Sequence, residues 1–306
     1  MRFCGIDGVT FGVTDIAECQ RFWRDWGLAQ NSEDDTVFTT LDGSRISLRP
    51  ADDATLPAPF EEGSTARQIV WGLEDEAALA EARDALQGQS SFVEGDGWVG
   101  ATDPNGMGLK LQVTTRHEVE VVGSPTNTAD KVLRKDERSP VYEKAQPIGI
   151  GHVVFFTADI MTTLAFYTEV LGFTVSDSYP QAGYFLRCRQ EGGHHNLFLL
   201  KTPDGKRGLN HVAFTVRDIH EVFGGGIHMS GKGWPTQIGP GRHPISSAYF
   251  WYFHNPSGGL AEYYANEDYC TKAWQPREWQ RSAANYAEWA VNGGIDGETR
   301  RQIDKR

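Results

Sequence analysis

Apolar and polar positions along the chain fall into a pattern that occurs twice. Ile6-Asp7-Gly8-Val9-Thr10-Phe11 and Ile150-Gly151-His152-Val153-Val154-Phe155 are short apolar runs suited to strands. Each leads into a Thr/Asp turn and then a segment with apolar residues at helical spacing, TDIAECQRFWRDWGL in the first copy and TADIMTTLAFYTEVLGF in the second. Both segments end in a Gly-Leu or Leu-Gly break. A second correspondence sets Gln68-Ile69-Val70-Trp71 beside His211-Val212-Ala213-Phe214, each strand running into an acidic turn and a helix-like stretch. A third sets DPNGMGLKLQV (103–113) beside NPSGGLAEYYA (255–265), an Asx-Pro-x-Gly turn feeding a final strand. Three matches in the same order point to an internal duplication.

Each half reads as strand, helix, several strands, then strand, helix, several strands. The fold class expected is therefore α+β, with two βαβββ units per half and four in the chain. Such units cover one sheet face with helices and curl the other into a cup. The boundaries expected are an N-terminal domain over 1–115, a polar, weakly periodic connector over 116–148, a C-terminal domain over 149–268 and a tail over 269–306. The tail carries Trp274, Trp279, Tyr286 and Trp289 and has no counterpart after the first half. A helix across the cup mouth or against a neighbouring subunit would use it, as would a helix closing the edge of its own domain.

The halves differ where chemistry can sit. His152, His211 and Glu262 each occupy one strand of the second half, and Gly8, Gln68 and Lys110 stand at the same three places in the first. One histidine in an apolar strand is ordinarily a core residue. A carboxylate amid Gly-Leu-Ala-Glu-Tyr-Tyr is different, because burying it is costly unless it is paired or coordinated. Two imidazoles at pseudo-equivalent places supply the reason. Two His and one carboxylate leave coordination positions open, the arrangement suited to non-haem Fe(II) and oxygen chemistry, with Mn(II) also compatible. A structural zinc site would use four protein ligands and show thiolates. Catalytic zinc stays open on ligand count, although no H-E-x-x-H helix is present.

Composition narrows the partners. A formal charge of −12 argues against nucleic acid or an anionic membrane as a partner, since both need a basic face. Cys4, Cys19, Cys188 and Cys270 lack C-x-x-C spacing, and no apolar run approaches the ~18 residues of a membrane span, so a cytoplasmic protein with reduced thiols is expected. Exposed module edges and the aromatic tail suit a homo-oligomer.

The motifs G-H-V-V-F-F around His152, H-H-N-L-F-L at 194–199, N-H-V-A-F-T-V around His211, G-R-H-P at 241–244 and Y-F-H-N-P-S-G-G-L-A-E-Y from Tyr252 resemble the vicinal oxygen chelate superfamily. Within it they resemble the two-domain extradiol ring-cleaving dioxygenases. The resemblance implies two tandem glyoxalase/bleomycin-resistance-like domains, an iron-bearing second domain, and cleavage of a catechol-type substrate by O2. It further implies that His195 is a strand residue over the oxygen site, with His194 facing away, and that His243 and Tyr252 contact the substrate. Val154, Ile245 and aromatic residues would line the pocket. Arg187 precedes the His195 strand and could meet an acidic substituent, although a surface arginine is the ordinary reading. Two alternatives stand beside this one: a metal-dependent isomerase or lyase of the glyoxalase type, and a metal-free small-molecule binding protein.

Overall fold

The computed structural model describes residues 1–292. The first half runs β1 (Phe3–Val13), α1 (Ile16–Asp25), β2 (Ala29–Gln30), β3 (Val37–Thr39), β4 (Arg45–Pro50), β5 (Thr65–Leu73), α2 (Glu76–Leu86), β6 (Val93–Gly95), β7 (Trp98–Thr102) and β8 (Gly108–Val113). The second runs β9 (Gly149–Thr157), α3 (Ile160–Ala165) with a π-helical turn (Phe166–Val170), β10 (Thr174–Tyr179), β11 (Gly183–Arg187), β12 (Gly192–Gly193), β13 (Leu197–Lys201), β14 (Gly208–Thr215), α4 (Ile219–Gly231), β15 (Thr236–Arg242), β16 (Tyr249–His254) and β17 (Leu260–Ala265). After it come β18 (Tyr269–Cys270), β19 (Arg277–Glu278), α5 (Ala283–Tyr286) and β20 (Trp289–Asn292).

All four module helices start the same way. Asp15, Asp75, Asp159 and Asp218 are their N-caps, each side chain accepting a hydrogen bond from the backbone N–H three residues on. The acidic turns of the sequence are thus helix starts.

The first sheet has the order β2-β3-β4-β1-β5-β8-β7-β6, and the second has β10-β11-β13-β9-β14-β17-β16-β15 between two extra edge strands. Register repeats as well as order. Thr10 pairs with Gln68 and Gly8 with Val70, as Val154 pairs with His211 and His152 with Ala213. Val70 pairs with Lys110 as Ala213 pairs with Glu262. Because side chains alternate along a strand, the same register sends the three ligand-place residues of each half to one face of its sheet. Four βαβββ modules in two tandem α+β domains are therefore the architecture.

The halves share one core. Phe22, Trp23 and Trp26 of α1 are buried. Trp26 stacks on Tyr263 of β17 with centroids 3.6 Å apart, and Trp23 lies against Phe214 of β14. The Tyr263 hydroxyl donates to the Trp26 carbonyl at 2.7 Å. In the other direction the Tyr167 hydroxyl donates to buried Asp103 at 2.8 Å. The 116–148 stretch carries no helix or strand, yet it is anchored: Arg116 pairs with Asp42 at 2.7 Å, and the backbone N–H of Ser124 donates to Asp218 at 2.6 Å.

The tail departs from the helical expectation. Its described part is mostly irregular, but β19 is added beside β10 and β20 beside β15, so it covers both edges of the second sheet. Its one helix, α5, has four residues. Residues 293–306 of the expected tail lie outside the described residues. Both edge strands are short, which limits what an added strand can gain there. Among the described residues no helix is long and apolar enough to cross a membrane, and all four cysteines are free thiols.

Candidate metal centre and pocket

β9, β14 and β17 are adjacent central strands, and each delivers one donor to a common point. His152 Nε2 lies 3.1 Å from His211 Nε2 and 3.1 Å from Glu262 Oε2, and His211 Nε2 lies 3.2 Å from the same oxygen. Donor atoms held about 2.1 Å from one ion, at right angles to one another, stand about 3 Å apart. The triangle has the size and the donor chemistry of three ligands on one face of an octahedron. His152, His211 and Glu262 are 4%, 7% and 1% exposed, so the charge on Glu262 is held away from solvent. Burial pushes both imidazoles below their ordinary range, leaving them neutral, as metal ligands must be. Burial alone would raise the Glu262 carboxyl, but the nearby imidazoles, with His152 Nε2 at 3.1 Å and His211 Nε2 at 3.2 Å from its Oε2, outweigh it and hold the group well below the usual range.

The two imidazoles are held by different means. His211 Nδ1–H donates to Asn210 Oδ1 at 2.6 Å, which turns its Nε2 lone pair towards the centre. His152 Nδ1 has no hydrogen-bond partner, and its ring is wedged between His195 (centroids 4.0 Å) and Tyr264 (4.9 Å).

The triangle sits in the wall of a cavity of about 540 Å3 that His195, His243 and Tyr252 also line. His243 follows β15; its Nδ1–H donates to the Tyr286 carbonyl at 2.6 Å, and its Nε2 lies 3.0 Å from the Tyr252 hydroxyl. Burial and then the nearby Glu262 carboxylate hold the Tyr252 hydroxyl well above its ordinary range, so it remains a donor. His195 has Nδ1 3.2 Å from Glu267, whose carboxylate also accepts from the His195 backbone N–H at 3.3 Å. Opposite the polar end are Val154, Tyr179, Ile245 and the parallel pair Phe185 and Phe198, whose centroids are 3.9 Å apart. These side chains make that part of the wall apolar.

Two expectations need correction. His194 and His195 lie in a bend between β12 and β13, not in a strand, because β13 starts only at Leu197. They still diverge: His195 faces the cavity, whereas His194 turns towards Asp177 (3.4 Å) and Trp274. Arg187 is neither on the surface nor in the cavity wall; it is 3% exposed at the end of β11. It ends β11 beyond Phe185, which does line the cavity.

Sequence reasoning gave no role to Asn210, Glu267 or Tyr286. Asn210 was visible in N-H-V-A-F-T-V as the neighbour of a ligand-place histidine. Glu267 and Tyr286 follow the last core strand, where no period marks a side chain as inward.

Residues 149–263 match the family profile of the Glyoxalase/Bleomycin resistance protein/Dioxygenase superfamily. Over nearly its whole length the chain is 28% identical to Metapyrocatechase 2 of Cupriavidus necator, covering 86% of this chain and 81% of that protein. It is 27% identical to 3-methylcatechol 2,3-dioxygenase of Pseudomonas putida, covering 89% and 92%. Among solved structures it is similar to the Mn(II)-bound glyoxalase from Novosphingobium aromaticivorans, with a TM-score of 0.76 at 22% identity over 100% of this chain and 95% of that one. That likeness establishes the fold: two tandem glyoxalase-like domains.

Proposed function

We propose that the chain is an extradiol dioxygenase, which opens the ring of a catecholic substrate beside its two hydroxyls with O2 as co-substrate. A ferrous ion, for which Mn(II) can substitute, is held by His152, His211 and Glu262. The observation that carries this reading is the donor triangle set into the wall of a cavity that His195 with Glu267 and His243 with Tyr252 also line, beside a group of aromatic and aliphatic side chains. Names of the relatives over the full chain length agree with it. When bound, the metal supplies Lewis acidity and open positions at which the diol and O2 are brought together.

The chain's own residues divide the remaining work. Asn210 fixes the tautomer and tilt of His211. His243 has its Nδ1–H committed to Tyr286, so its Nε2 accepts a proton or hydrogen bond from a substrate hydroxyl. Tyr252 stays protonated and donates to a ring oxygen. His195, steadied on the Nδ1 side by Glu267, gives or takes a proton at its other nitrogen, a role worth on the order of 10² to 10⁴ in rate. The aromatic and aliphatic wall excludes water and orients a planar ring.

The test is anaerobic loading with Fe(II) or Mn(II), followed by oxygen uptake against alkyl, bicyclic and carboxylated catechols while watching for a yellow ring-opened product. Stoichiometric oxygen consumption with the product is expected. Metal-loaded protein that consumes no oxygen with any of them overturns the proposal; isomerisation without oxygen uptake would assign the glyoxalase type.

A further inference from the structure

The first sheet has a cup of its own, and Gly8, Gln68 and Lys110 line it at the places that His152, His211 and Glu262 take in the second. It is a cavity of about 180 Å3, also lined by the polar Asp7, Thr10, Arg45, Ser47 and Gln112 and by Val9 and Val70. Where the second cup carries a carboxylate, this one carries an ammonium. Lys110 is half-buried, and its Nζ lies 5.2 Å from the centre of the Trp98 ring. Among the described residues neither Lys110 nor Arg45 forms an ion pair.

The one acid in the wall is already satisfied. Asp7 accepts from the Thr114 hydroxyl at 2.7 Å, from the Thr115 backbone N–H at 2.9 Å and from Gln112 at 3.4 Å. Half-buried Lys110 and exposed Arg45 therefore both line a cavity whose one carboxylate already has three hydrogen-bond donors. A metal is disfavoured twice: an ammonium stands at the carboxylate's place, and any side chain at Gly8 would bring its Cβ to 2.9 Å of the Arg45 carbonyl oxygen on the adjacent strand. What the wall offers instead is donors: an ammonium, a guanidinium, hydroxyls from Thr10 and Ser47, and the Gln68 amide. This is the chemistry that recognises a carboxylate or phosphate. Burial also pushes the Lys110 ammonium below its ordinary range, a cost that an anion would relieve.

We infer that the N-terminal cup is a binding site for a small oxyanion, carboxylate or phosphate, held chiefly by Lys110 and Arg45. It stands apart from the chemistry of the second cup and does not depend on it.

The experiment is calorimetric titration of the full chain with inorganic phosphate and, separately, acetate, at ionic strength held constant with chloride. Saturable binding of one anion per chain is expected, weakened about tenfold or more in Lys110→Met and in Arg45→Gln and retained in Lys110→Arg. Catechol turnover should be the same in all three variants. Phosphate alone, acetate alone or both binding would assign the source, and each supports the site. Absence of saturable binding for both probes overturns it, as does equal binding by wild type and a folded Lys110→Met. Thermal melts with and without phosphate keep the test valid should one variant be destabilised: an anion-dependent rise in wild type that Arg45→Gln lacks supports the site, and equal rises overturn it.

Discussion

Replacing Asn210 with leucine removes the group that aims His211 while keeping the side chain close in size. The His211 Nδ1–H then loses its 2.6 Å acceptor in a ring that is only 7% exposed. An unsatisfied buried donor costs about 1–3 kcal/mol. The ring can recover part of that by turning Nδ1 to another acceptor, but doing so turns Nε2 out of the triangle. In both cases the loss falls on the metal-loaded state, so metal affinity should drop about 10–100-fold. Asn210→Asp keeps an acceptor at the same place and should retain most of the affinity. Fe(II) content measured at chelator-buffered free metal, under anaerobic conditions, reads the effect directly. A folded Asn210→Leu protein that binds Fe(II) as tightly as wild type would refute the reasoning, because His211 would then need no partner to present its nitrogen.

Further expectations follow from the same geometry. His195→Gln should lower kcat by about 10² to 10⁴ with metal content unchanged, whereas Glu262→Gln should empty the site; metal analysis beside turnover separates the two. Burial raises the Asp103 carboxyl from 3.8 to about 6, so between those pH values the folded chain keeps a proton that the unfolded chain has lost. Stability should therefore fall by about 3 kcal/mol as pH rises from about 4 to about 6, and Asp103→Asn should flatten that limb of urea midpoints against pH. Trp26→Ala removes the ring stacked on Tyr263 across the two halves and should cost about 3–5 kcal/mol. Calorimetry should show one transition, shifted down; two separate transitions in wild type would contradict the shared core.

Much of this protein is written locally. Alternation and helical spacing determine the modules, the four Asp caps determine where helices start, and the duplication exposes His152, His211 and Glu262 by setting them against Gly8, Gln68 and Lys110. The duplicated halves fold with the same strand register, so residues compared along the sequence are also comparable in space. Three matters were decided only in three dimensions. Arg187 read as a surface residue because nothing local to its sequence shows that it will be only 3% exposed. A helix was one expectation for the tail, but the edges beside β10 and β15 offer unpaired backbone groups, and parts of the tail pair with them. Tyr286 and Glu267 reach His243 and His195 through chain closure, which no periodicity encodes. The sequence by itself brought His152, His211 and Glu262 forward as a set, since burying a carboxylate among apolar strands demands partners. Only the tertiary structure decided what orients them, because that depends on which distant segments come to lie against the cup.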